Sequence, residues 1–103
     1  MLLFYITCPN NSEAESLVKT LLEEQLIACA NILPGMKSFY VWEDEVQHSE
    51  EVILLLKAPK RNQAIIESRV SELHSYDCPC ILSFEPNSVN PPFLDWLRQS
   101  TKD

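Results

Sequence analysis

Hydrophobic and polar positions along this chain change period several times, and each change marks an element. Leu2 to Ile6 is an unbroken apolar run closed by Thr7, Cys8 and Pro9, the pattern of a fully buried strand stopped by a proline. Behind it Ala14, Leu17, Val18, Leu21, Leu22 and Ala28 recur at spacings that put them on one face of a helix from about Glu13 to Cys29. Ser12 is the expected cap, with Glu15 three residues on as the partner of a capping box. From Asn31 the helical period is lost. Ile32 and Leu33 lead through Pro34 and Gly35 into Ser38 to Trp42, where aromatic and β-branched residues favour a strand. Pro34 has no amide to give a ladder, so an edge, a bulge or a bend is expected there. Glu43, Asp44 and Glu45 form the turn, with Asp44 as the residue at positive φ, and Val52 to Leu56 is the return strand, ending near Ala58.

The second half repeats the logic. Ile65, Ile66, Arg69, Val70 and Leu73 fall at helical spacing between Lys60 and Leu73, and Cys80 to Phe84 is a short strand between Pro79 and Pro86. Asn90 caps a last helix with Pro91 and Pro92 in its first turn and an apolar stripe of Phe93, Leu94, Trp96 and Leu97. The order is that of an α+β, ferredoxin-like βαββαβ sandwich with a long central hairpin and a C-terminal helix, both crossover helices on one sheet face. A strand of about 12 residues runs about 40 Å, whereas a helix of about 16 covers about 24 Å. The hairpin from Asn31 to Ala58 therefore overhangs its own helices, and its open edges and aromatic residues Phe39, Tyr40 and Trp42 predict self-association.

Composition narrows the function. At 103 residues the chain is one domain, 1–103, with 46% of its residues hydrophobic. Met1 to Ile6 has no basic start, and no run approaches the roughly 18 residues of a membrane span, so a cytoplasmic protein without a membrane partner is expected. A net charge of -7 with eight scattered basic residues speaks against a nucleic-acid partner and favours cations. The four cysteines, without an export signal, read as reduced thiols.

Candidate chemistry centres on Cys78-Pro79-Cys80 with His74 four residues upstream, a soft thiolate and imidazole set suited to copper or zinc. The competing reading makes Cys80 an ordinary buried strand residue. Cysteine catalysis is disfavoured, because only His74 and His48 are available as histidine bases. The acidic residues around Glu43 to Glu51 lack calcium-loop spacing and read as a solvated tip. Thr7 to Ser12 has neither the glycine nor the arginine of a phosphatase loop, although its hydroxyls and the following helix amides suit a small anion. No enzymatic activity and no required cofactor are expected.

These residues resemble the CutA divalent-cation tolerance proteins. The likeness runs through Thr7-Cys8-Pro9-Asn10, Leu22-Glu23-Glu24 and Ala28-Cys29-Ala30-Asn31-Ile32-Leu33-Pro34-Gly35, then Ser38, Tyr40, Trp42 and Val46. It continues through Lys57, Leu73-His74, Tyr76, Pro79-Cys80-Ile81 and Phe93 to Leu97. The resemblance implies a homotrimer joined through the long hairpin, a role in the response to metal ions, and binding of copper or another divalent metal. Some relatives bind copper through a first-strand cysteine and two adjacent histidines ending the second helix. His74 matches the second histidine, but Leu73 stands at the first and Ile6 at the cysteine's place. Cys80 stands where the family usually has glutamate, and Asp44 where glycine is common. A replacement metal site formed by His74, Cys78 and Cys80 is the expectation that follows. The architecture also resembles the trimeric PII proteins, whose implied alternative is a signalling protein taking a small ligand between subunits.

Overall fold

A computed structural model describes residues 1–101. Four strands and three helices follow one another as β1 (Leu2–Cys8), α1 (Asn11–Glu23), β2 (Cys29–Trp42), β3 (Glu45–Ala58), α2 (Gln63–Leu73), β4 (Ile81–Phe84) and α3 (Pro91–Ser100), with a 3-10 turn, Lys60–Asn62, leading into α2. The strands form one antiparallel sheet in the order β2-β3-β1-β4.

In β1, residues Leu2, Phe4, Ile6 and Cys8 are buried, while Leu3, Tyr5 and Thr7 between them are half-buried. The apolar run is thus not a strand buried on both faces, because the core helices cover only one. Phe4 pairs with Leu56 and Ile6 with Leu54, and these side chains pack with Ala14, Leu17 and Leu21 of α1 and with Ile66 and Val70 of α2. The second face carries Tyr5 in register with Leu55 and Leu82, and Leu3 in register with Phe84. Leu82 and Phe84 are exposed, as is Leu33 of β2.

Helix α1 stops six residues before the expected end. Its cap is Asn10, not Ser12: the Asn10 side chain accepts from the Glu13 amide at 2.8 Å. At the other end Gln25 takes φ 58°, the Gln25 amide donates to Leu22 O at 3.0 Å and the Leu26 amide to Leu21 O at 3.1 Å. That pair of bonds is a Schellman stop formed without glycine. Ile27 and Ala28 are then buried by the chain leading into β2, not by a helix. In α2 the apolar stripe narrows to Ile66 and Val70, since Ile65 and Leu73 are exposed and Arg69 forks onto Glu24, the C-cap residue of α1, with Nη2 to Oε2 at 2.7 Å and Nε to Oε1 at 2.9 Å. Asn90 precedes α3 as expected, but through its carbonyl, which accepts from Phe93 and Leu94 amides, and Leu97 alone of the α3 stripe is buried.

The hairpin is longer than its apolar pattern suggests. Between Leu33 and Met36 the register shifts, so that Pro34 and Gly35 together oppose Val52, with Gly35 at φ 81°. Up to this bulge β3 is buried on the helix side; beyond it seven further residue pairs, Met36 with Glu51 to Trp42 with Glu45, extend with little cover. Both Glu43 (φ 50°) and Asp44 (φ 64°) occupy the left-handed region at the tip. Two positive φ values in a two-residue loop match the right-handed twist of the strands, so the turn demands Glu43 there as well as Asp44. The molecule measures 47 × 26 × 22 Å, its long axis reflecting the overhang.

Candidate functional site

Cys8 ends β1, Glu13 lies in the first turn of α1, and His74 caps the C-terminus of α2. These elements meet at one end of the sheet, bringing a thiol, a carboxylate oxygen and an imidazole nitrogen within 4.8 Å of one another. His74 Nε2 lies 2.8 Å from the Thr7 carbonyl oxygen, and a carbonyl only accepts, so Nε2 carries the proton and donates it. His74 Nδ1 accepts from the Tyr76 amide at 3.0 Å. Both ring nitrogens are therefore engaged with backbone, and the 3.5 Å approach of Nδ1 to Glu13 Oε2 is not an ion pair in this tautomer. The Glu13 carboxylate accepts instead from the Ser75 amide at 3.3 Å.

Burial, and after it the Glu13 and Glu51 carboxylates, push the Cys8 thiol up to about 11. A metal here needs a thiolate and a free imidazole lone pair. The cluster as folded supplies neither, and does not fit a divalent ion. Its evident work is to fasten the end of α2 to β1 and α1. Tyr76 extends the same fastening: its hydroxyl donates to Glu51 Oε2 at 2.9 Å, and burial followed by this bond pushes its ionisation up to about 12.

The metal trio expected from the sequence, His74, Cys78 and Cys80, is divided. His74 is turned inward by its bonds to Thr7 and Tyr76, whereas the loop that follows runs over the surface and leaves Cys78 and Cys80 exposed. Among the described residues, the cluster of ligand atoms around His74 contains Cys8 and Glu13, and neither Cys78 nor Cys80. Cys80 is likewise not an ordinary buried strand residue; it stands just before β4. Sequence spacing missed Cys8 and Glu13 as neighbours of His74. The available signal was a cysteine closing a buried strand five residues before a carboxylate in the next helix's first turn.

Cys78 and Cys80 instead open onto a cleft of about 740 Å³ between this loop and the hairpin, whose walls include Tyr40, Trp42, Gln47, Ser49, Glu51, Tyr76 and Asp77. No Lys, Arg or His stands among the described residues lining it. The corner expected to suit a small anion is occupied differently, by Asn10 on the helix amide and by the Glu13 carboxylate.

A four-stranded antiparallel sheet, helices over one face and a hairpin projecting past them define an α+β class of small protein with a large uncovered apolar surface. A sequence model of the CutA1 divalent ion tolerance protein family matches residues 2–100. Among relatives, the divalent-cation tolerance protein CutA of Pyrococcus horikoshii is 41% identical over 102 residues, covering 99% of each chain, and that of Thermus thermophilus is 40% identical over 96 residues, 93% of each. Solved structures agree. CutA1 from Ehrlichia chaffeensis superposes with a TM-score of 0.96 at 35% identity over 98% of this chain and 94% of that one. The protein from Archaeoglobus fulgidus, described as a periplasmic divalent cation tolerance protein, gives 0.94 at 36% identity over 99% and 100%. The chain belongs to the CutA1 divalent ion tolerance family.

Proposed function

We propose that the protein acts as a homotrimer in the response to metal ions, assembled through its long hairpin and the open face of its sheet, and without enzymatic activity. The observation that carries the assembly is uncovered apolar surface. Beyond the bulge Phe39, Val41, Trp42 and Val46 are 65–75% exposed, and Leu82 and Phe84 stand exposed on the sheet face opposite the helices. Apolar side chains exposed on both faces of the projecting hairpin and on the open face of the sheet are surface that self-association covers. The strand order β2-β3-β1-β4, with α1 and α2 on one face, supports a ferredoxin-like protomer in such an assembly.

The metal-ion role rests on family membership and on an acidic chain with a net charge of -7. The alternative of a small-ligand signalling protein is not favoured by relatives whose names concern divalent cations. Absence of enzymatic activity is supported by the site itself, since the thiol, the carboxylate and the imidazole that meet there are held in hydrogen bonds or kept protonated. A cytoplasmic location is consistent with four free cysteines, and no helix of the described residues is long and apolar enough to cross a membrane. Light scattering on the purified protein tests the assembly, with the mass of three chains expected. Complementation tests the role: a host lacking its own family member should regain growth on graded copper(II) when given this chain, and unchanged sensitivity would count against the reading.

A further inference from the structure

We propose that the basic pocket where α3 meets the 3-10 turn before α2 binds a small phosphate monoester. The site is independent of the metal role and lies at the end of β3 remote from the hairpin tip. Its walls include Pro59, Lys60, Arg61, Leu94, Leu97 and Arg98, around a volume of about 230 Å³. Local structure brings them together. Pro59 follows β3 and opens the 3-10 turn, which carries Lys60 and Arg61. Leu94, Leu97 and Arg98 stand at i, i+3 and i+4 of α3 and so share one face of that helix. Pro59 and Leu97 are buried and Leu94 is half-buried, whereas Lys60, Arg61 and Arg98 are exposed, so the pocket has an apolar floor and a cationic rim.

Charge sets this pocket apart from the rest of the chain. Three of the eight lysines and arginines of a protein with a net charge of -7 line it, and no Asp or Glu stands among the described residues that do. A pocket walled by one sign of charge concentrates ions of the other. Arg98 complements the C-terminal end of α3 from any side of the helix, but here it stands on the face that carries Leu94 and Leu97 into the pocket. Lys60 Nζ donates to Glu85 Oε2 at 2.8 Å; both side chains are more than half exposed, so the pair is weak, and the ammonium keeps further protons to donate. The choice of ligand follows from these groups. Guanidinium forks match phosphate oxygens, and three cations suit the near-dianion of a phosphate monoester better than the single charge of a carboxylate. The apolar floor takes the carbon part of the ester, which free phosphate would leave uncovered. A volume below the roughly 300–1,000 Å³ of pockets for drug-sized ligands limits that part to about one ring. Nucleotides are too large for it.

Phenyl phosphate is the probe, titrated calorimetrically into the assembled protein at low ionic strength, beside inorganic phosphate and benzoate. One equivalent per chain is expected, with phenyl phosphate held more tightly than either of the others. Arg98→Gln and Lys60→Gln should each weaken it by about tenfold, and Arg98→Lys, which keeps the charge and loses the fork, by less. Lys19→Gln removes one exposed positive charge from α1 and should leave the affinity unchanged. Equal weakening by Lys19→Gln, unchanged binding in Arg98→Gln, or no saturable binding by the wild type overturns the site. Inorganic phosphate or benzoate held as tightly as phenyl phosphate overturns the choice of a phosphate monoester. Amide chemical shifts give a check that needs no variant. The probe should move the signals of Lys60–Asn62 and of residues 94–98, and shifts confined to other residues would overturn the location.

Discussion

Cys8 is a residue whose chemistry the fold alters strongly. Its thiol sits fully buried at the end of β1, under the influence of Glu13 and Glu51, and its pKa is pushed up to about 11 from an ordinary 9.0. An acid whose folded pKa is raised keeps its proton in the native state after the unfolded chain has lost it. Stability is therefore unaffected below pH 9, falls as pH rises from about 9 to about 11, and levels off above that, for a total of roughly 3 kcal/mol. Tyr76, pushed up to about 12, adds a fall in the same direction at higher pH. Denaturant unfolding at fixed protein concentration should show the loss between pH 8.5 and about 10.5. Cys8→Ala should flatten that slope, at the cost of a small cavity, while Tyr76→Phe should leave the part below pH 10 in place. An equal slope in Cys8→Ala would show that the loss has another source.

Two backbone positions govern the elements. Gln25 holds a left-handed conformation that ends α1, and Gly35 holds one that lets Pro34 sit in a bulge of β2. Gln25→Gly is expected to stabilise by up to about 1 kcal/mol, the cost of placing a side chain at that φ. Gly35→Ala is expected to destabilise by about 1–2 kcal/mol through φ alone, because a Cβ there would meet nothing within 4 Å. Thermal melts of both, with opposite signs, check the assignment. The same positions show what the sequence made legible. Elements announced by period and by proline were readable, namely β1, the hairpin, α2 and α3, since these signals are local. The end of α1 was not, because Leu26, Ile27 and Ala28 continue an apolar rhythm although they are buried off the helix. Nor was the split of His74 from Cys78 and Cys80. It depends on one long-range bond, His74 Nε2 to Thr7 O, between residues 67 positions apart.

At the scale of the molecule, the covered and uncovered faces of the sheet set the argument. The helices bury Phe4, Ile6, Leu54 and Leu56, yet the residues in register on the other side, Leu82 and Phe84 among them, are also apolar, and so is the projecting hairpin. Fully burying one such side chain contributes about 1.5–3 kcal/mol, and in the closed ring proposed above each loss would be repeated in every subunit. Trp42→Lys in the hairpin and Phe84→Lys on the sheet face should each shift the protein towards monomer on dilution, and the double variant should do so throughout. Trp96→Lys is the matched control. Its side chain is 45% exposed, comparable with the others, but it lies on α3 against Phe93. Analytical ultracentrifugation across a concentration series measures the outcome. A trimer surviving both substitutions would place the subunit contacts on other surfaces, whereas dissociation by Trp96→Lys alone would move them to α3. The expected pattern, weakening by the first two and not the third, would tie assembly to the surface left open by a hairpin that outruns its helices.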